Sequence, residues 1–592
     1  MEILDYYITL HLQHPEQKEE APAEVTISQL ETLFFCTKRN VNLLLKRMGE
    51  EKWLTWIPGK GRGNRSKVLF HYSLEEAVDA YFSKLLAKNL ITEAAEFLNR
   101  PLLPEHLAKK LQSRIQDNFG LHVKQTVSSR VDLLKIPMRR PLAALDPAHS
   151  YSAAEAHFVR QIFDTLVNFN PVTEKFEPHL AHHWDVDPER TEWTFYLRKS
   201  VRFHHGRILT AQDVKYTLDR LRDPSIRSPY LHLFSEIHTI QTFNDYTVRI
   251  ILKRPNVFFL HYLSSFHAPI LPHDVPIVTG KELIGTGPFK VTEYNEKVFI
   301  LEAFDEHFNG RALLDRVELW FVELNADRIV HYELPGSEGM ENREMRVDNN
   351  GSQYLVFNFQ KDGPHHDLYF RKAIDELIDR NRMIAELGGR RNSPASSMWA
   401  ERSKLSAFHP ASIDRARGLL SKSSYQGETL TFKYLDYTSE GLREAEWLQK
   451  TFSRAGISVE LSPYTLLDPQ PLDAEILSKG EVLERDTQYG FLSFIKSERS
   501  MRTLLSEEQI GILDDHLARF TREESYEERD LILEEIETYM EDEKILLHLY
   551  HIAKQWNYPV LLKGVRLNDF GWADFRKLWV KPEIGNNNEK GK

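Results

Sequence analysis

Between Cys36 and Lys67 the reactive side chains are cationic or amide-bearing, and their spacing suits duplex DNA. At about 100° per residue, Val41, Leu44, Leu45 and Met48 share one helical face. Arg39, Lys46 and Arg47 share the other, with Asn40 and Asn42 at its edges. Arg bonds guanine bidentately and Asn bonds adenine, so Lys38, Arg39, Asn40, Asn42, Lys46 and Arg47 are candidate base or phosphate contacts. Further on, Gly59, Gly61 and Gly63 free the backbone for a tight hairpin tip. Lys60, Arg62, Asn64, Arg65 and Lys67 then project toward phosphates or the minor groove. The stretch holds nine Lys/Arg against two acids, a net +7, while the whole chain carries −11, leaving −18 elsewhere. Cationic charge concentrated on an acidic protein is the footprint of nucleic-acid binding.

The elements that must position these groups are legible too. Ser28 offers an N-cap with Glu31 three residues on, and Ile27, Leu30 and Phe34 form an apolar stripe. Thr37 can cap the cationic helix. Two helices meeting at a Cys36–Thr37 corner, then a strand at Trp53–Trp56 and the glycine-rich tip, predict a winged helix-turn-helix over residues 1–73. Cys36 is the sole cysteine, which excludes an intramolecular disulfide and a cysteine-rich zinc site; a small buried corner residue is expected there. Residues 74–130 read as a helical connector. Its apolar faces suit either a homodimer contact or packing against the next domain.

From Val131 strand-like and helix-like segments alternate. Examples are Trp193–Leu197, Thr247–Leu252, Phe289–Tyr294, Ala211–Leu221, Phe370–Arg380 and Ile413–Leu420. This texture predicts α/β architecture over 131–582, with a disordered tail at 583–592. Hydrophobic residues make up 41% of the 592, enough for several packed cores. The N-terminus shows no basic secretory n-region and no apolar run reaches membrane-spanning length, so a cytoplasmic protein without membrane contact is expected. No phosphate-binding loop, nucleophile elbow or His-Glu-x-x-His is present, so neither enzymatic activity nor a cofactor is expected. His179 and His182 stand at helical-face spacing, but no Asp/Glu/Cys set accompanies them and no metal site is expected.

The large segment carries ordered motifs: Gln161-Ile-Phe-Asp-Thr-Leu-Val167, Phe176-Glu-Pro-His-Leu-Ala-His-His-Trp184, Trp193 to Gly206, Leu209-Thr-Ala-Gln-Asp-Val214, Gly285-Thr-Gly-Pro-Phe289 and Phe370 to Arg380. These resemble the family 5 extracellular solute-binding proteins. The resemblance implies a two-lobed, periplasmic-binding-protein-like (type II) domain with ligand in the cleft between lobes. Gly206, Gly285 and Gly287 read as turn glycines and Thr210 as an N-cap. The aromatic-Ala-Asp-Tyr-Pro-like segment of peptide-binding members is missing from Leu483–Phe494. Candidate ligand contacts are Arg139, Arg140, Tyr354 and Asn358, with Arg suited to an anionic group. The head, Phe35–Met48 and Trp53–Ser66, together with Leu567–Phe575, is similar to SgrR-type transcriptional regulators. That resemblance implies a regulator binding double-stranded DNA and a small ligand, a sugar phosphate or a peptide. Lobe closure would then shift the connector and reorient the head. The competing reading is a solute or peptide receptor of an ABC importer.

Overall fold

The computed structural model describes residues 2–14, 22–59, 65–125, 130–138, 140–277, 282–322, 342–348, 350–404, 410–436, 439–465, 473–484, 486–568 and 570–581. The chain begins with α1 (Ile3–Leu12), β1 (Ala23–Val25), α2 (Ile27–Phe34), α3 (Lys38–Glu50), β2 (Leu54–Ile57) and β3 (Ser66–Phe70). The strands form an antiparallel sheet in the order β1-β3-β2, with Ile57 opposite Lys67 at the hairpin end. This is the element order expected of a winged helix-turn-helix. Lys60, Arg62 and Asn64, at the expected tip, lie outside the described residues.

The cap of α2 differs from expectation. Thr26, not Ser28, accepts from the Gln29 N–H, and the Gln29 side chain returns the bond to the Thr26 N–H at 2.8 Å. The chain leaves β1 at Val25, so the first residue free to turn sets the cap. Thr37 is the N-cap of α3 without a side-chain cap hydrogen bond. Cys36 is partly buried.

The connector comprises α4 (Leu74–Ala87), α5 (Ile91–Leu98) and α6 (Glu105–Gln116). Residues 120–125, placed in the connector by their position in the sequence, instead form β4, which pairs antiparallel along β5 (Arg130–Met138). These two close one edge of a five-stranded sheet, joined through β5 to the parallel strand Arg316–Phe321 and then to Val298–Ala303 and Phe289–Tyr294. A four-stranded sheet, in the order Ile237–Asn244, Thr247–Leu252, Glu192–Leu197 and Ala181–Val186, completes the first lobe.

The second lobe is built on a seven-stranded sheet. Gln353–Phe357 lies between Ile476–Gly480 and the long strand Leu546–Pro559, and Thr429–Leu435 runs parallel to Ser458–Tyr464. Leu546–Pro559 extends past Gln353–Phe357 to pair with Asn342–Asp348. The chain beyond it returns to the first lobe, where Trp572 and Phe575 pack among Phe158, Phe299 and Leu319. The lobes touch where Phe258 meets Phe520, ring centroids 4.8 Å apart, and where Arg529 sits over the same Phe258 ring. No helix among the described residues is long and apolar enough to cross a membrane.

Candidate nucleic-acid interface and ligand cleft

In α3 the apolar stripe is buried as its spacing requires: Val41, Leu45 and Met48 face the core. Lys38, Arg39, Asn40, Asn42, Lys46 and Arg47 are all exposed. One of these cations is engaged: Lys46 pairs with Glu50 one turn on, at 3.7 Å, an exposed contact of little energetic weight. Arg65, at the described end of the hairpin, reaches Glu24 at 4.0 Å. Asn42 and Lys46 also line a groove of about 370 Å³ between α3 and β2, with Thr55 and Trp56 opposite. Two exposed apolar residues on this part of the head escaped the sequence reading: Leu43, 52% exposed, and Phe35, 89% exposed. Leu43 sits between Arg39 and Lys46 on the outward face.

The head is not tethered loosely. Its hydrophobic core takes in α4, α5 and α6 and continues into Val298, Ile300, Trp320 and Val322 of the first lobe. Polar contacts reinforce the junction. Lys135 donates to the Asn89 Oδ1 at 3.1 Å and lies 3.8 Å from Glu318, which also accepts from the Trp320 indole N–H at 3.0 Å and from Arg316 Nε at 2.8 Å. Lys297 pairs with Glu93. The connector therefore packs against the next domain, the second of the two roles its apolar faces suited.

The candidate ligand residues fare unevenly. Arg140 is exposed after β5, and Arg139 lies outside the described residues. Asn358 is held in internal hydrogen bonds, whereas the Tyr354 phenol shares the sheet face of Lys479 and feels the Glu481 carboxylate. Tyr354 is fully buried in the second-lobe sheet, opposite Lys479 and His548, with its ring against Phe494. Asn358 is equally buried: its amide donates to the Ala474 carbonyl and its Oδ1 accepts from the Gln360 N–H. Alternation along Gln353–Phe357 could not reveal that the sheet is covered on both faces.

Charged and phenolic groups from both lobes converge beside Tyr354. Arg160, on the helix Ala153–Ile162, pairs with Glu484 across the lobes. The Arg499 guanidinium lies 4.6 Å from the centre of the Tyr151 ring. The Lys479 ammonium donates to the Arg499 carbonyl at 3.1 Å. Next to them, burial pushes the Glu481 carboxyl up to about 7, against the pull of Lys479, and burial pushes the Lys479 ammonium down to about 8, against the pull of Glu481. Both keep some accessible surface. Tyr230 and Tyr464 border the cluster, donating to the carbonyls of Ser150 and Ser478.

The histidines have structural work. His179 bonds Asp164 at 2.8 Å, and His182 and His183 lie on the strand Ala181–Val186, not on a helix. Burial would raise Asp164, but His179 and His307 hold it well below the usual carboxylate range. Among the described residues no three His, Cys, Asp or Glu side chains form a metal-holding group.

A helix-turn-helix head sharing its core with a two-lobed binding domain defines a solute-binding fold fused to an N-terminal module with one cationic helix face. The sequence relations agree. The family described as bacterial extracellular solute-binding proteins, family 5 middle, matches residues 175–476, and the domain described as sugar transport-related sRNA regulator N-term matches residues 2–121. The chain belongs to the family 5 solute-binding proteins and carries that regulator domain in front. It is 29% identical to the Bacillus subtilis (strain 168) protein YhjP over 94% of this chain and 96% of that one. It is 26% identical to the HTH-type transcriptional regulator SgrR of Photorhabdus laumondii over 97% and 98% respectively. The oligopeptide-binding protein AppA of Bacillus subtilis, in complex with a nonapeptide, shares the fold with a TM-score of 0.64 at 17% identity, covering 76% of this chain and 99% of that one.

Proposed function

We propose that this chain is a ligand-responsive, DNA-binding transcriptional regulator that acts in the cytoplasm and catalyses no reaction. The observation that carries the reading is the exposed cationic face of α3 on a head whose core continues into a solute-binding lobe. The near full-length likeness to proteins named HTH-type transcriptional regulators supports it. Lys38, Arg39, Asn40, Asn42, Lys46 and Arg47 approach the major groove, and the hairpin residues Lys60, Arg62, Asn64 and Arg65 approach the adjoining backbone.

The sensing site is the interlobe cluster of Tyr151, Lys479, Glu481 and Arg499. Its cations suit an anionic group, and Glu481 suits hydroxyls, a combination that fits a sugar phosphate. Because the connector is fused to the first lobe, the signal is carried by movement of the second lobe relative to a head and first lobe that move together. Flexing of the connector is not required.

Chromatin enrichment of the intact chain tests the reading. Discrete enriched sites are expected, and Arg39→Ala lowers affinity for them by about 1–3 kcal/mol. A chain recovered outside the cytoplasm that enriches no DNA removes the regulator reading.

A further inference from the structure

Phe35 occupies a position that its residue type makes costly in two independent ways. Helix α2 ends in a Schellman arrangement: the Cys36 N–H bonds the Glu31 carbonyl at 3.2 Å and the Phe35 N–H bonds that of Thr32 at 3.4 Å. The residue between the helix end and the returning chain must be left-handed, and Phe35 has φ 48°. Glycine takes this conformation without steric cost; a residue with a bulky side chain does not. The same residue leaves its ring 89% exposed, withdrawing no apolar surface from water. Neither backbone geometry nor packing accounts for phenylalanine here.

Its place in the fold points to what does. Phe35 stands at the turn that leads directly into α3, ahead of the exposed Lys38 and Arg39, on a head whose outward helix face also presents Leu43. Cationic residues bring this surface to DNA. On the base edges of the major groove the apolar group is the thymine 5-methyl, and phenylalanine is among the side chains that can contact it. Resting on the DNA-binding reading above, we propose that Phe35 is a specificity-determining residue whose ring seats against a thymine methyl beside the bases approached by Arg39. The left-handed turn aims the ring outward, and the exposed surface is buried only on the duplex.

The test uses the full-length chain and duplexes it enriches from a random library. Phe35→Ala binds the enriched duplex about tenfold more weakly, and the wild type loses about fourfold when the contacted thymine is replaced by uracil, the value of one buried methyl. Phe35→Ala no longer distinguishes the two bases. Phe35→Gly shows the same loss of affinity while its melting temperature rises above that of the wild type, which separates the contact from folding. Leu102 provides the matched control. It too is left-handed, φ 71°, and 56% exposed, but it lies between α5 and α6, so Leu102→Gly gains stability without changing DNA affinity.

A wild type that treats thymine and uracil alike at every position, or a Phe35→Ala variant that binds normally, overturns the role of Phe35. Loss of transcriptional response with DNA affinity intact assigns the ring to a protein partner and also overturns it. A chain that enriches no duplex at all fails earlier, at DNA binding itself.

Discussion

At the scale of single residues, the groups proposed to face DNA and those proposed to face ligand differ in how openly the sequence declares them. Arg39 and Lys46 declare themselves by opposition to Val41, Leu45 and Met48, because a helix with one buried stripe has one exposed stripe. Glu481 does not. Its carboxyl is raised by burial, which exists only in the packed molecule, against the pull of Lys479 two residues away. For the same reason Asn358 looked available and is instead held by the Ala474 carbonyl and the Gln360 N–H. The raised carboxyl of Glu481 has a measurable consequence. The folded chain holds this proton up to about pH 7, the unfolded chain releases it in the ordinary carboxylate range, so the stability it contributes is lost as pH rises through the interval between. Glu481→Gln removes that dependence. Between about pH 5 and pH 8 its stability should improve on the wild type by about 1–3 kcal/mol, read from denaturant unfolding of both proteins at each pH. A difference that stays constant across that range would place Glu481 in open solvent.

At the scale of elements, regular periodicity was readable and tertiary coverage was not. The helix Ala211–Leu221 and the strand Thr247–Leu252 fall where their patterns place them. The helices Thr487–Lys496, Glu507–Phe520 and Tyr526–Asp542 are not legible in the sequence, nor is the strand Leu546–Pro559, whose fourteen residues pair with three different strands along their length. The capping of α2 shows how close two signals can lie: Thr26 with Gln29 and Ser28 with Glu31 both satisfy the pattern, and only the end of β1 decides between them. Gly206 is a turn glycine as expected, φ 94°. Gly285 and Gly287 are something else. A β-carbon on Gly285 would stand 2.0 Å from the Ile162 carbonyl oxygen, so this segment passes directly against the end of the helix Ala153–Ile162. Gly285→Ala should cost about 2–4 kcal/mol in chemical denaturation, because the obstacle is backbone that cannot rotate away. At Gly310, left-handed but with open space around it, the same substitution should cost only about 1 kcal/mol.

At the scale of the whole molecule, the feature with the widest reach is the shared core between head and first lobe. It predicts that distances within this unit are constant. Spin labels on Cys36 and on a Glu293→Cys variant, both in that unit, should report one separation whether or not a sugar phosphate that stabilises the protein is present. Labels on Cys36 and a Ser421→Cys variant, whose site is exposed on the second lobe, should report a separation that changes. Equal shifts in both pairs would mean that the head moves on its own.

Seen from a promoter, that junction turns the molecule into an indicator with a fixed post. On the proposed reading, with α3 seated the first lobe would be as stationary as the DNA, and opening or closing the cleft would swing the remaining half of the molecule through the space above the helix. The metabolic state of the cell would then be displayed as the whereabouts of a bulky arm, legible to anything assembling alongside, while the protein's footprint on the bases stays the same.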